Sequence, residues 1–89
     1  MGDYTLQYLR DKEKREVDFI VLKDGKPWLL AEVKLSERQL SPSLLHFAKK
    51  LKVPHALQVV MNEKYEDFDC FKLKGPAWVP ARTFLSQLL

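Results

Sequence analysis

The feature that most constrains the fold is the dipeptide Asp24-Gly25, which lies between two stretches of apolar residues. Both residues tolerate the positive φ angles that a two-residue hairpin turn needs. Residues 16–22 alternate between apolar and polar side chains before this dipeptide, and residues 27–34 form a largely apolar run after it. The sequence therefore predicts an antiparallel hairpin, preceded by a further strand over residues 4–10.

Two polar pairs, Glu16 with Asp18 and Glu32 with Lys34, lie on the two strands of this hairpin. Because residues two apart in a strand point the same way, the members of each pair are expected to share a face. The turn can bring the two pairs side by side. The same rule predicts three apolar side chains on one face of the first hairpin strand: Val17, Phe19 and Val21.

A helix is predicted to start at Ser41-Pro42, because serine is a preferred N-cap and proline is favoured at the first helical position. Apolar residues recur at helical spacing after it, and Val53-Pro54 ends the pattern. Residues 55–61 then form an apolar, β-branched run of strand length. A helix joined to a strand by so short a connection indicates a crossover within one sheet.

The C-terminal part of the chain predicts three further segments. Residues 62–69 are expected to form an acidic loop, residues 70–74 a short edge strand, and Pro80 to begin a terminal helix. The element order β-β-β-α-β-(β)-α therefore predicts an α/β fold with helices packed against a mixed sheet.

Length and composition fit a single domain over residues 1–89, with 46% hydrophobic and 30% charged residues. The net charge of +3 is compatible with phosphate binding but does not identify it. The single cysteine, Cys70, excludes an intramolecular disulfide, and the first ten residues lack a signal-peptide pattern, so a cytoplasmic location is expected. The longest runs of apolar residues are too short to form a helix that crosses a bilayer. No membrane role is therefore expected.

A motif-level resemblance rests on two segments of the hairpin: Glu16-Val17-Asp18-Phe19-Ile20-Val21 and Ala31-Glu32-Val33-Lys34. Together they resemble the core motif of the PD-(D/E)xK nucleases. More specifically, they resemble the nuclease-like C-terminal domain of bacterial and archaeal AAA-type ATPases, a domain commonly of unassigned function. The resemblance covers roughly residues 8–61 and is most specific over residues 18–34.

The resemblance implies a restriction-endonuclease-like sheet that carries a metal site. Asp18 and Glu32 would be the metal ligands, and Lys34 would orient the attacking water or stabilise negative charge. Mg²⁺, or Mn²⁺ in its place, prefers oxygen ligands and usually takes one or two protein carboxylates. The implied activity is metal-dependent hydrolysis of phosphodiesters in nucleic acid, with an ATPase module in the same natural chain as a partner.

Two departures from the family pattern leave a second function open. Active members usually carry another acidic residue on a helix before the first strand, and this chain has no room for that helix. Val17 also stands where proline often precedes the aspartate. The expectations are therefore a nuclease domain, or an inactive module of the same fold that binds proteins or forms a homodimer. The missing helix also fits a C-terminal fragment of a larger ATPase.

Each polar residue also has a purely structural interpretation. The set Asp18, Glu32 and Lys34 fits a solvent-facing sheet surface, but Glu32 interrupts an apolar run typical of a central strand, where a buried carboxylate needs a partner or a metal. Gln58 either neighbours the site from the next strand or satisfies nearby backbone groups, and the second role is expected. Glu16 either assists the site or is the solvated start of its strand, and again the second is expected. The two tryptophans are expected to pack in the core or at an interface rather than to stack on bases.

Overall fold

Seven strands and helices make up the fold in the computed structural model, which describes residues 3–10 and 16–88. In chain order they are β1 Tyr4–Arg10, β2 Glu16–Lys23, β3 Lys26–Lys34, α1 Pro42–Leu51, β4 His55–Val60, β5 Ala77–Pro80 and α2 Ala81–Leu88. A short 3-10 turn, Cys70–Lys72, lies between β4 and β5. The predicted mixed α/β fold is confirmed. Within the described ranges, no helix is long and apolar enough to span a membrane.

The five strands form one sheet in the order β1-β2-β3-β4-β5. The first three strands pair antiparallel, and β3, β4 and β5 pair parallel, with α1 as the crossover between β3 and β4. The turn between β2 and β3 has positive φ angles at both central residues, 52° at Asp24 and 80° at Gly25. Positive φ at both positions is typical of a type I′ turn, whose twist matches that of the two flanking strands, as the sequence predicted.

One face of the sheet, the α1 face, is covered by helix α1. The helix begins as predicted, because the Ser41 hydroxyl oxygen accepts a hydrogen bond from the Leu44 backbone N–H at 3.0 Å. It ends at Lys52, whose left-handed conformation closes the last turn. Under it lies a core of buried apolar side chains: Val17, Ile20, Leu30, Leu44, Phe47 and Ala56.

The opposite face, the α2 face, is covered by α2 and the 3-10 turn. Its core consists of these buried side chains: Leu29, Ala31, Leu57, Val59, Cys70, Val79, Ala81 and Phe84. β3, the central strand, and β4 beside it have apolar residues on both faces, because helices cover both sides of the sheet there. The fold therefore has three layers, with α1, the sheet and α2 stacked in that order.

The predicted face of Val17 is wrong. Val17 is fully buried in the core of the α1 face, with Ile20, whereas Val21 packs against the α2 face. A bulge is the reason: Gln7 pairs with Ile20 but Leu9 pairs with Val17, so β2 contributes three residue steps where β1 contributes two. An extra residue in a strand reverses the facing of everything beyond it.

The predicted edge strand over residues 70–74 is also wrong. This segment contains the 3-10 turn, which is capped by the Asp69 carboxylate accepting the Phe71 N–H at 2.9 Å. The Cys70 N–H donates to the Gln87 side-chain oxygen at 2.8 Å, which ties the turn to α2. The edge strand is instead β5, and the terminal helix begins at Ala81, one residue after Pro80.

Helix α2 leaves part of its face of the sheet uncovered. It contacts β4, β5 and the 3-10 turn, and beside it a groove of about 750 Å³ extends over β1 to β3. The exposed apolar side chains that line this apolar groove are Tyr4, Leu6, Phe19, Val33, Met61, Leu85 and Leu88. Exposed apolar patches on small domains are typical of interaction surfaces.

An aromatic cluster at the start of β4 surrounds His55. Its ring lies edge-on to Trp28 and to Phe71, at centroid distances of 5.2 Å each, and these two rings stack at 5.4 Å. The expected packing role of Trp28 is thus confirmed. Among described residues, the buried Nδ1 of His55 has no hydrogen-bond partner. Burial lowers the pKa of His55 below its ordinary value of 6.5, and the charge of Asp69 opposes this only in part.

We expect the free energy of unfolding to fall as the pH drops through the range where His55 titrates. The unfolded chain binds the proton near pH 6.5 and the folded chain only at lower pH, so the stability is complete above 6.5 and is lost toward the lowered folded-state pKa. Urea unfolding between about pH 5 and pH 8 measures this for wild type and His55→Phe. The variant should have the flatter profile. Parallel profiles would contradict the assignment, since all other titrating groups are common to both proteins.

Candidate metal site at the end of the hairpin

Asp18 lies where the regular pairing of β2 with β3 ends. The last paired residues are Phe19 and Ala31. Beyond this pair a side chain takes the place of a backbone hydrogen-bond acceptor: Asp18 Oδ2 accepts a hydrogen bond from the Val33 backbone N–H at 2.7 Å. This N–H belongs to the peptide that joins Glu32 to Val33. The hairpin therefore brings Asp18 beside the Glu32-x-Lys34 segment, whereas Glu16, the other member of its predicted pair, lies with β1.

Glu32 is a buried carboxylate in a central strand, with a side chain on the α1 face. The residue is only 8% exposed. Within the described part of the chain, its Oε2 is buried and accepts no hydrogen bond. A buried carboxylate oxygen without a donor is costly and calls for a cation or a bound water. Among the three predicted site residues, Glu32 is thus the one with a buried oxygen that a cation or a water would satisfy.

Lys34 is the last residue of β3 and is half-buried. It lies two residues from Glu32 in the same strand, so both side chains point to the α1 face. Its backbone carbonyl accepts the Met61 N–H at 2.9 Å, which extends the pairing of β3 with the segment after β4. The three predicted site residues are therefore gathered at the end of the hairpin opposite the Asp24-Gly25 turn.

The donor set fits a hard divalent cation. No cluster of three or more His, Cys, Asp or Glu side chains suited to a metal occurs in residues 3–10 and 16–88. Mg²⁺ and Mn²⁺ nevertheless need few protein ligands, since Mg²⁺ usually takes one or two carboxylates and keeps several waters. Asp18 and Glu32 would supply two carboxylates, and Glu32 Oε2, which accepts no hydrogen bond from the described residues, is the oxygen that a cation would take up.

Gln58 secures the loop that follows the site, residues 35–41. Its side chain is fully buried and lies next to Glu32 across the sheet. Its Nε2 donates to the carbonyls of Glu37 at 2.9 Å and Gln39 at 2.8 Å, and its Oε1 accepts the Ser41 N–H at 2.9 Å. The expected role of Gln58 in satisfying backbone groups is confirmed.

A cluster that sequence reasoning missed lies at the edge of the site. Arg38 forms two hydrogen bonds with the Glu63 carboxylate, Nε–Oε2 at 2.9 Å and Nη2–Oε1 at 2.8 Å. Its guanidinium also lies over the Trp78 ring, 4.9 Å from the centroid. The hydrogen bonds hold the pKa of Glu63 below its usual range and raise the pKa of Arg38. No local sequence pattern predicts these contacts, because Glu63 and Trp78 are far from Arg38 along the chain.

Glu16 stands apart from these residues, as expected for the solvated start of a strand. Its Oε1 lies 3.3 Å from Arg10 Nε in an ion pair whose side chains are about half exposed. A hydrogen bond to Glu16 is the main cause that raises the pKa of Tyr8. Glu16 therefore interacts with β1 and not with the Glu32-x-Lys34 segment.

A protein-family profile matches most of this chain. The profile of the family described as a domain of unknown function, DUF4143, covers residues 2–80. The chain belongs to the DUF4143 family. No curated protein and no solved structure matches it. The family match extends over all five strands and α1 of the DUF4143 chain, so the hairpin, the candidate site and the Gln58 loop lie within the family domain.

Proposed function

We propose that this DUF4143 domain is a metal-dependent phosphodiesterase of the PD-(D/E)xK type that acts on nucleic acid. The observation that carries the proposal is the buried Glu32 Oε2, which accepts no hydrogen bond from the described residues and lies on the same face as Lys34. The Asp18 carboxylate binds the N–H of the next residue, Val33. A strand pair that ends in two acids and a lysine is what such an enzyme requires. Domains of this family are often found with AAA ATPases, which supports a role accessory to an ATPase module.

The three side chains divide the chemistry between them. Asp18 and Glu32 supply the carboxylate oxygens for Mg²⁺ or Mn²⁺, and the Val33 N–H keeps the Asp18 carboxylate in place. When bound, the metal polarises the scissile phosphate and lowers the pKa of a water. Lys34 contributes a fixed positive charge that stabilises the negative charge developing on the phosphate oxygens. The reaction is hydrolysis of a phosphodiester bond.

The decisive test titrates Mn²⁺ and Mg²⁺ into wild type and Asp18→Asn by calorimetry, then incubates both with labelled single- and double-stranded DNA. Asparagine retains an oxygen that can accept the Val33 N–H but lacks the charge, so the fold should persist while metal affinity falls more than about tenfold. Cleavage should fall with it. Absence of metal binding by wild type would exclude the proposed activity.

Lys34→Met separates charge stabilisation from metal binding. Methionine keeps the length of the side chain and removes the ammonium, so the metal affinity should stay close to that of wild type. The cleavage rate should drop about 100-fold or more, the typical loss for one electrostatic group in a transition state. Unchanged cleavage, measured on labelled DNA at saturating Mn²⁺, would remove Lys34 from the mechanism.

The apolar groove favours a second candidate function. Its exposed aromatic and aliphatic side chains on β1 to β3 suit a protein interface, which is the alternative of an inactive module that binds proteins or self-associates. Sedimentation of wild type and Leu6→Lys distinguishes this alternative from a monomeric enzyme. Self-association lost in the variant, together with the absence of cleavage by wild type, would favour the interaction module.

A further inference from the structure

Arg38 has a defined orientation that a surface arginine usually lacks. The Glu63 carboxylate holds one edge of its guanidinium through two hydrogen bonds, and the Trp78 ring supports its plane. Buried Gln58 binds the carbonyls of both chain neighbours of Arg38, which fixes the backbone that carries it. Ordering a long side chain costs conformational entropy, and the two hydrogen bonds to Glu63 and the contact with the Trp78 ring offset that cost.

This arginine lies on the same side of the sheet as the candidate metal site. Glu32 is the register partner of Gln58, and Gln58 is the register partner of Trp78. Neighbouring strands are about 4.8 Å apart, so the backbones of Glu32 and Trp78 are separated by about 10 Å. A nucleic-acid strand rises about 3.4 Å per nucleotide, so this separation corresponds to about three nucleotides.

The guanidinium retains donors for a ligand. It has five N–H groups, of which the two bonds to Glu63 use two, and the Arg38 side chain is 61% exposed. A planar fork with free N–H groups matches two oxygens of a phosphate, and a guanidinium gives up its hydration more readily than an ammonium does. The exposed edge of Arg38 is therefore suited to a phosphate group.

We propose that Arg38, oriented by Trp78 and Glu63, binds a backbone phosphate of the nucleic-acid strand, a few nucleotides from the bond that the Asp18–Glu32 site cleaves. The inference rests on the proposed function, because it places the substrate strand along the row from Glu32 to Trp78. Arg38 is a binding residue that sets how the strand crosses the site. It takes no part in bond cleavage.

The test measures binding of a short fluorescein-labelled DNA strand by anisotropy, in EDTA and over a series of salt concentrations. Arg38→Ala should weaken binding about tenfold and lower the slope of log affinity against log salt by about 1. Arg38→Lys keeps the charge but loses the fork, so its affinity should be intermediate and its salt slope unchanged. The control is Arg82→Ala, which removes an exposed arginine from α2 on the opposite side of the sheet and should leave both quantities unchanged.

Cleavage assays in Mn²⁺ separate this inference from the proposed function. If wild type binds DNA without cleaving it and Arg38→Ala binds more weakly, Arg38 is a phosphate-binding residue although the enzymatic proposal fails. If wild type cleaves DNA and Arg38→Ala has the same affinity and salt slope, the role of Arg38 is overturned and the enzyme proposal stands. No DNA binding by wild type overturns the Arg38 inference outright.

Discussion

Glu32→Gln should make the metal-free protein more stable and abolish its stabilisation by Mn²⁺ or Mg²⁺. Burying a carboxylate whose Oε2 accepts no hydrogen bond from the described residues is unfavourable, and the neutral amide removes that charge. We expect a gain of about 1 kcal/mol in EDTA, which corresponds to about 4–8 °C in melting temperature for a domain of this size. Functional sites commonly contain a residue that lowers the stability of the protein when no ligand is bound.

The metal-dependent part of this prediction is larger. A cation that binds only the folded state stabilises wild type by about 2.7 kcal/mol at a hundredfold excess over its Kd. The variant should lose this increment. Its cleavage of DNA should fall by more than about 100-fold, because losing a group that only supports a metal ligand already costs up to about 100-fold and Glu32 is a proposed ligand itself. Thermal melting with and without Mn²⁺ measures the first effect and labelled DNA the second.

Glu37→Gln is the matched control for Glu32→Gln, because it removes a carboxylate that is exposed and lies in the following loop. It should change neither the melting temperature in EDTA nor the response to Mn²⁺. A Glu32→Gln protein that keeps the metal response would rule out Glu32 as a ligand. A gain in stability with no metal response in wild type would instead exclude the metal site and leave the interaction module as the remaining candidate function.

Gln58→Leu should cause the largest loss of stability of any single change considered for this protein. Leucine is of similar size but has no polar atoms, so the Ser41 N–H and the carbonyls of Glu37 and Gln39 lose their partners beside a fully buried position. An unsatisfied buried group costs about 1–3 kcal/mol, and some of these groups can regain water, so we expect a total loss of about 3 kcal/mol. Urea denaturation measures it.

Asn62→Ala provides the comparison for Gln58→Leu, because Asn62 binds the same loop from an exposed position. Its Nδ2 donates to the Ser36 hydroxyl at 3.0 Å. Removing an exposed hydrogen bond should cost about 0.5 kcal/mol or less. Equal losses in the two variants would show that burial of the Gln58 amide is not what holds the loop. Amide exchange at Ser41 should accelerate in Gln58→Leu, since its N–H loses the Gln58 oxygen.

The two candidate functions depend on different sides of the molecule. The enzymatic proposal depends on Asp18, Glu32 and Lys34 at the end of the hairpin, and the interaction proposal depends on the apolar groove of the α2 face. They do not exclude each other physically, because a domain attached to an ATPase can bind its neighbour through one surface and a substrate through the other. The metal titration and the sedimentation experiment therefore test independent statements.

The sequence by itself determined the local elements of this protein. Asp24-Gly25 specified the hairpin turn, because only a few residue types accept two consecutive positive φ angles. Ser41-Pro42 specified the start of α1 through its cap, and the apolar runs specified the strands. It also indicated Asp18, Glu32 and Lys34 as neighbours, because a hairpin has a short connection and one dominant register. Each of these signals acts between residues close in sequence.

The tertiary structure alone decided the features that depend on distant partners. The bulge that turns Val17 to the α1 face arises from pairing with β1, and the edge strand lies at β5 because residues 70–72 are tied to α2 instead. The contact of Arg38 with Glu63 is likewise set by the packing of separate segments. So is the burial of Glu32 Oε2, which accepts no hydrogen bond from the described residues. Alternation and spacing report on a residue's neighbours in the chain, whereas bulges, buried partners and uncovered faces result from long-range packing.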